Sequence, residues 1–227
     1  MTPVRQLVLS SLVLVTLGLG FTSAKADQVV FNNFGPGQTW QQSSSSAITG
    51  TQLAGGQIIA NQFTPNENFL FSSALLPMVR FGGTNILQVI LMTNSGGVPG
   101  TILETITLTN VVTSASGGSI VTANSLIHPL LSSGVPYWLV AFAPEQDTAM
   151  GWYHSPADMS NGSNNAVNSS HSLSGPWVLS PAGGVRNAFQ IEGNPVPEPT
   201  TVLFLGSGLA GIALKVRAKI KTPSEKT

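Results

Sequence analysis

The sequence predicts an all-β protein with one β-sandwich or jelly-roll domain in the middle of the chain. Three observations support this fold class. Short strand-like runs recur between Gly- and Pro-rich turns. In one run Thr105 and Thr107 alternate with Ile106 and Leu108, as in a half-buried strand. No long stretch in this region shows the 3.6-residue apolar period of an amphipathic helix.

Eight predicted strands follow in order between turn signals. They cover residues 57–63, 70–81, 86–92, 101–112, 119–126, 137–143, 150–154 and 188–192. Residues 86–91 are more continuously apolar, which indicates a fully buried strand. Paired glycines mark turns, and residues 94–100 combine glycines with a proline between two strands. The polar stretch 164–175 has no strand signal and is predicted to be a loop.

The chain divides into five segments. We expect a signal peptide (1–26), a flexible lead-in (27–56), the β-sandwich (57–193), a linker (194–199) and a transmembrane segment with a basic tail (200–221). Within the lead-in we expect partial order at most, with residues 29–31 as a candidate edge strand.

The N-terminus has the pattern of a secretory signal. Arg5 precedes an uncharged apolar run, and Ala24-Lys25-Ala26 fits an A-x-A cleavage site. The predicted mature chain therefore begins at Asp27, after cleavage by signal peptidase.

The C-terminus has a second membrane signal. Residues 200–214 are uncharged and apolar, and a basic stop made of Lys215, Arg217, Lys219 and Lys221 follows. At about 1.5 Å per residue this run is too short to cross a ~30 Å hydrocarbon core unless the apolar residues of the tail are included. The basic end is expected to stay on the cytoplasmic side.

The short motif before this run carries a family resemblance. Val196, Pro197, Glu198 and Pro199, followed by the apolar run and the basic end, resemble the PEP-CTERM sorting signal. The resemblance covers roughly residues 195–221. It implies a Gram-negative host, export, processing by exosortase (a membrane-embedded transpeptidase-like enzyme), and delivery from the inner membrane to the cell surface or extracellular matrix.

The central region resembles a second family, the choice-of-anchor R domain, over roughly residues 60–192. The resemblance rests on the order of residues 60–65, 95–104, 129–131, 134–140 and 151–152. It implies an exported β-sandwich found with several surface anchors, and it implies no catalytic residues.

The amino-acid composition argues against several classes of function. Of the 227 residues 8 % are charged, against about 25 % in a typical protein. Between Asp27 and Pro195, two bases and seven acids give a net charge of minus five, so nucleic acid is a poor partner. The absence of cysteine excludes disulfides, thiol nucleophiles and thiolate metal sites.

No catalytic motif occurs in a fitting context, so we predict no enzymatic activity and no catalytic residues. The candidate ligand-binding residues are Trp152, Tyr153, His154, Asp158 and Trp177. Trp152 and Tyr153 should face opposite sides of a strand, so one of them is a candidate platform for a sugar ring. No metal site or cofactor is predicted. Ca²⁺ bound by the acidic loop residues Glu145, Asp147 and Asp158 remains an alternative with a weak signal, because no EF-hand spacing is present.

The sequence therefore predicts an exported, non-catalytic surface or matrix protein whose sandwich binds or organises extracellular polysaccharide, as in a biofilm matrix. Two alternatives stay open. One is a purely structural surface component without a small ligand, and the other is a secreted hydrolase in which His154 joins an acid.

Overall fold

The computed structural model describes residues 27–53, 56–156, 164–180 and 186–196. Within these ranges every regular secondary-structure element is a β-strand. The strands are β1 (Gln28–Asn32), β2 (Gln41–Thr49), β3 (Ile58–Phe63), β4 (Phe69–Gly82), β5 (Ile86–Ser95), β6 (Val98–Thr109), β7 (Ser119–Asn124), β8 (Leu130–Leu131), β9 (Tyr137–Phe142), β10 (Ala149–His154), β11 (Asn165–Asn168), β12 (Val178–Leu179) and β13 (Gln190–Pro195).

The strands form two sheets, in a sandwich-like all-β fold. The first has seven strands in the order β1-β13-β4-β10-β2, with β7 and β8 also paired to β4. The second has six strands in the order β12-β11-β3-β9-β5-β6. All the strand pairs are antiparallel. The long strand β4 is the central strand of the first sheet. β13 and β10 pair with successive parts of it, and β7 and β8 also pair with it.

One hydrophobic core joins the two sheets. Phe71 and Leu76 of β4 belong to the same buried cluster as Phe63 of β3 and Leu91 of β5. Burial of such side chains, at about 25 cal/mol per Å² of apolar area, supplies the main stabilisation in a chain without disulfides.

The opposite side of the second sheet is covered as well. Trp138, Ile90 and Val140 form a second buried cluster, against which Leu173 and Trp177 pack. This explains why β9 is almost entirely buried and why its sequence is continuously apolar. The structure confirms that Trp138 is a core residue, since it is fully buried.

All eight predicted strands are present, as β3, β4, β5, β6, β7, β9, β10 and β13. The turn between β5 and β6 is tighter than predicted. Only Gly96 and Gly97 connect Ser95 to its partner Val98, and both glycines have positive φ (62° and 89°). Positive φ at both central residues is the requirement of a two-residue hairpin turn.

Two predictions about loops were wrong. The stretch 27–56 was predicted to be a flexible lead-in with a candidate edge strand at residues 29–31. That edge strand is present as β1, which pairs with β13, but the unpredicted strand β2 pairs with β10, so most of the stretch is part of the fold. Its Gln- and Ser-rich segment still forms a strand because β10 pairs with it, and Ile48 inserts into the core. The polar stretch 164–175 contains β11, whose asparagines are buried through hydrogen bonds.

The predicted signal peptide and C-terminal membrane segment lie outside the described residues. Within the described ranges, no helix is long and apolar enough to cross a membrane.

Candidate functional site

Strand β10 places Trp152, the first candidate for ligand binding, inside the protein. Its side chain is fully buried, its indole Nε1–H donates to the carbonyl of Ala188 (2.7 Å), and its ring meets Phe189 edge-on at 6.0 Å. The indole therefore packs in the core and presents no face to solvent. Trp152 therefore offers no platform for a sugar ring.

Tyr153 points to the other side of β10, as predicted, but it is also buried (6 % exposed). The cause is the turn before β7. Gly118 has a φ of +68°, and a Cβ at this position would collide with the Tyr153 ring. The backbone of this turn thus lies directly on the ring, and Tyr153 offers no sugar platform either.

His154, at the end of β10, is half-buried and contacts a hydroxyl. Its Nε2 lies 3.0 Å from Ser46 Oγ of β2. Ser46 Oγ donates its one proton to Asn187 Oδ1 (3.3 Å), so the ring N–H of His154 is the donor in the first contact. Desolvation by burial lowers the pKa of His154, which keeps the ring neutral at pH 7.

Asn187, just before β13, is the centre of a buried polar network. We call Ser46, Asn61, His154, Asn165 and Asn187 the Asn187 cluster. Asn187 Oδ1 accepts from Asn61 Nδ2 and Asn165 Nδ2 (both 3.1 Å), and Asn187 Nδ2 donates to the carbonyl of Trp152 (2.6 Å). The cluster therefore links β3 and β11 of the second sheet to β10 and β2 of the first.

The backbone of Asn187 is also held. Its N–H donates to Asn61 Oδ1 (3.2 Å), and its carbonyl accepts from Asn33 Nδ2 (2.9 Å). Asn33, Asn61 and Asn187 are all buried. The sequence analysis did not predict this cluster. Asn61 was a visible signal, because it lies in the mostly apolar run 58–63 and a buried amide needs a hydrogen-bond partner.

The Ser46–His154 pair does not have the geometry of an activated nucleophile. A general base must accept the serine proton, whereas here Ser46 gives its proton to Asn187. A triad also needs an acid on the other ring nitrogen. Among the described residues, Nδ1 of His154 is buried without a hydrogen-bond partner. Asp158, the acid closest to it in sequence, lies outside them.

Arg186 is a second unusual polar residue beside the cluster. It is 3 % exposed, and its backbone carbonyl accepts from the N–H of Ser155 (2.7 Å). Its Nε and Nη1 have no hydrogen-bond partner in the described part of the chain. Desolvation lowers the pKa of its guanidinium.

Trp177, the remaining aromatic candidate, lies apart from the cluster. It precedes β12 and packs half-buried against the second cluster of the core, on the outer side of the second sheet. Trp177 is thus half-buried on the second sheet, and the structure does not bring it together with His154 of the first sheet.

The acidic loop proposed for Ca²⁺ has a structural hydrogen bond. Asp147 Oδ2 accepts from the backbone N–H of Thr84 (3.1 Å), and hydrogen bonds from Thr84 hold the pKa of the Asp147 carboxyl below its usual value. Across the described ranges, no group of three or more His, Asp or Glu side chains is arranged to hold a metal ion.

The predicted sorting motif begins where the described structure ends. The N–H of Val196 donates to the carbonyl of Asn68 (2.9 Å), just beyond β13. Pro197, Glu198, Pro199 and the basic stop lie outside the described residues, as do Ala24 and Ala26 of the predicted cleavage site.

Comparison with known families decides the nature of this segment. Residues 195–218 match the PEP-CTERM protein-sorting motif. The motif implies exosortase-dependent, membrane-associated sorting of an exported protein. No curated protein has a significant match to the chain.

Proposed function

We propose that this protein is an exported structural component of the cell surface or extracellular matrix, delivered by PEP-CTERM sorting, with a non-catalytic β-sandwich. The observation that supports the sorting step is the match over residues 195–218, directly after β13. In this proposal signal peptidase removes residues 1–26, the apolar segment holds the chain in the inner membrane, and exosortase acts at the Pro-Glu-Pro motif.

The structural role is favoured by the burial of the predicted binding residues. Trp152 and Tyr153 are buried, so the aromatic surface expected of a polysaccharide binder at this strand is absent from the described structure. Most polar groups around His154 hydrogen-bond to one another across the two sheets, which favours a structural role for them. The likeness to the choice-of-anchor R domain fits the same role, as a displayed sandwich with exchangeable anchoring.

The sorting step is tested by replacing Pro197, Glu198 and Pro199 with alanine in a host that has exosortase. We expect the variant to remain in the inner membrane, because the enzyme no longer recognises its site, while the unaltered chain reaches the surface. The matched control is the triple alanine variant of Thr222, Pro223 and Ser224, which lies beyond the matched residues and should be sorted normally. Surface delivery of the first variant would contradict the proposal.

The structural role is tested separately with the host's own extracellular polysaccharide. We expect no saturable retention of the protein on this polysaccharide, with or without Ca²⁺. Saturable retention lost on Trp177→Ala would instead identify a polysaccharide-binding module with its site on the outer side of the second sheet. Retention that requires Ca²⁺ would support the acidic loop as its site.

A further inference from the structure

The end of the first sheet from which the chain leaves has an unusually apolar surface. We call Leu70, Leu126, Ile127, Leu130 and Val196 the exit patch. Their side chains are 40 %, 83 %, 65 %, 52 % and 37 % exposed, in that order. Isolated exposed aliphatic residues are ordinary, whereas adjacent ones indicate a contact surface.

The strand register places three of these residues, Leu70, Leu130 and Val196, side by side. Leu70 of β4 is directly opposite Leu130 of β8 on one flank and Asn194 of β13 on the other. Such partners lie on the same face of a sheet, about 5 Å apart. Val196, two residues after Asn194, continues on that face and bonds to Asn68. Leu130 and Val196 therefore flank Leu70 on the outer face.

A buried carboxylate holds the rest of the exit patch in place. Glu104 of β6 is 6 % exposed, and its Oε2 accepts from Ser125 Oγ (2.6 Å). Its Oε1 accepts from the backbone N–H groups of Leu126 (2.6 Å) and Ile127 (3.3 Å). These bonds fix the loop between β7 and β8, so Leu126 and Ile127 are presented to solvent by a pre-organised backbone.

The exit patch is close to the segment that sorting brings to a membrane. Four peptide steps separate Val196 from Thr200, the first residue of the apolar run. At about 3.5 Å per residue, even a fully extended chain spans only about 14 Å. A surface tethered so closely experiences a high effective concentration of its neighbour, which makes a weak apolar contact sufficient for binding.

We propose that the exit patch rests on the lipid surface of the membrane while the C-terminal segment holds the protein there. This inference rests on the proposed membrane-associated sorting and adds an orientation of the sandwich relative to the bilayer. Leu126 and Ile127 insert among the headgroups, since interfacial binding scales with the apolar area buried. This orientation of the sandwich also places the Pro-Glu-Pro motif close to the membrane, where a membrane-embedded enzyme acts.

The contact is apolar and not electrostatic. The only lysine or arginine residues between residues 27 and 195 are Arg80 and Arg186, and His128, in the loop that carries Leu126 and Ile127, has its Nδ1 3.0 Å from the carbonyl of Phe71. Arg80 lies near the far end of β4 from Leu70, with its Nη1 bonded to the carbonyl of Gly83, and Arg186 is buried. Membrane contact by the exit patch should therefore change little when anionic lipid or salt is added, unlike that of a basic surface.

The test uses the full chain reconstituted in phosphatidylcholine vesicles that contain a nitroxide-labelled lipid. Because the chain has no cysteine, a single cysteine can carry an environment-sensitive fluorophore. We compare Ile127→Cys with the control Val178→Cys, an exposed position of similar accessibility (65 % and 68 %) on the second sheet. Ser207→Cys reports on the sorting segment itself.

We expect the lipid quencher to reduce fluorescence at position 127 and to leave position 178 at the level of free solution. The effect at 127 should be lost when Leu126→Ser and Leu130→Ser are added, in protein that retains its cooperative unfolding. Quenching at 207 without quenching at 127 would overturn the exit-patch contact and leave membrane-associated sorting intact. Absence of quenching at both positions would overturn both, whereas quenching at 127 alone would support an independent contact by the patch.

Discussion

At the residue scale, Asn187 is a buried polar side chain that hydrogen-bonds to residues of both sheets. Its amide satisfies groups on Asn61, Asn165, Ser46 and Trp152. Removing one partner from a buried hydrogen-bond network leaves the others without their bonds, which costs about 1–3 kcal/mol for each orphaned group. Asn187 thus fixes how the sheets are joined at this end of the core.

We expect Asn187→Ala to lower the free energy of unfolding by about 3 kcal/mol, because at least one buried amide loses its partner. The measurement is urea unfolding monitored by tryptophan fluorescence. Asn164→Ala is the control, since the Asn164 amide makes one half-buried bond to Gln62 (2.9 Å) and should cost about 1 kcal/mol or less. Equal losses in the two variants would contradict the central role of Asn187.

His154 predicts a pH dependence of stability. Burial lowers its pKa in the folded state, so the unfolded chain binds the proton more readily. Stability is therefore unaffected by this group above its unfolded pKa of about 6.5 and falls as the pH drops below that value, until the folded pKa is reached.

We expect the native protein to lose more stability than His154→Gln between about pH 8 and about pH 5. Glutamine keeps a donor for Ser46 but does not titrate. Urea unfolding at several pH values measures the difference. Parallel pH profiles for the two proteins would show that His154 does not resist protonation in the folded state.

At the element scale, strand β2 shows where sequence reasoning fails and why. Residues 41–46 are polar, and Ile48 alone signals a core position. The strand exists because β10 pairs with residues 45–49 and with Gln41, and no local pattern reveals this non-local partner. Strands β3, β5 and β9 were predictable because their own sequences are rich in apolar residues, which are buried in the structure.

The candidate site shows the same limit. Alternation placed Trp152 and Tyr153 on opposite faces correctly, but the cover over Tyr153 comes from the distant Gly118 turn. Likewise, Asn61, Asn165 and Asn187 are separated along the chain and meet only when the sheets pack. The PEP-CTERM signal was predictable because its motif, apolar run and bases are contiguous.

The structural role of β2 is tested by Ile48→Ala. Ile48 is fully buried, so we expect a loss of about 2–5 kcal/mol in the free energy of unfolding. Leu53→Ala, in the exposed connection that follows, is the control and should change stability by about 0.5 kcal/mol or less. If both variants matched the native protein, residues 27–56 would indeed behave as a lead-in outside the fold.

At the scale of the whole molecule, the two ends of the described domain lie at the same end of the first sheet. β1 pairs antiparallel with β13, and Gln28 is opposite Gly193, three residues before Val196. Along the chain, the predicted signal peptide directly precedes this end of the fold and the predicted membrane segment follows it. A chain attached to the membrane at both termini can therefore still pair β1 with β13 and complete the first sheet.

This arrangement predicts that signal-peptide removal is not required for folding. We expect the double variant Ala24→Leu, Ala26→Leu, which blocks the A-x-A site, to retain its signal peptide and still form a protease-resistant domain in exported material. Lys25→Leu is the control, because it leaves both small residues in place and should be cleaved. Limited proteolysis of the membrane fraction measures the outcome. Degradation of the uncleaved variant under conditions that spare the control would show that the N-terminal tether prevents β1 from pairing with β13.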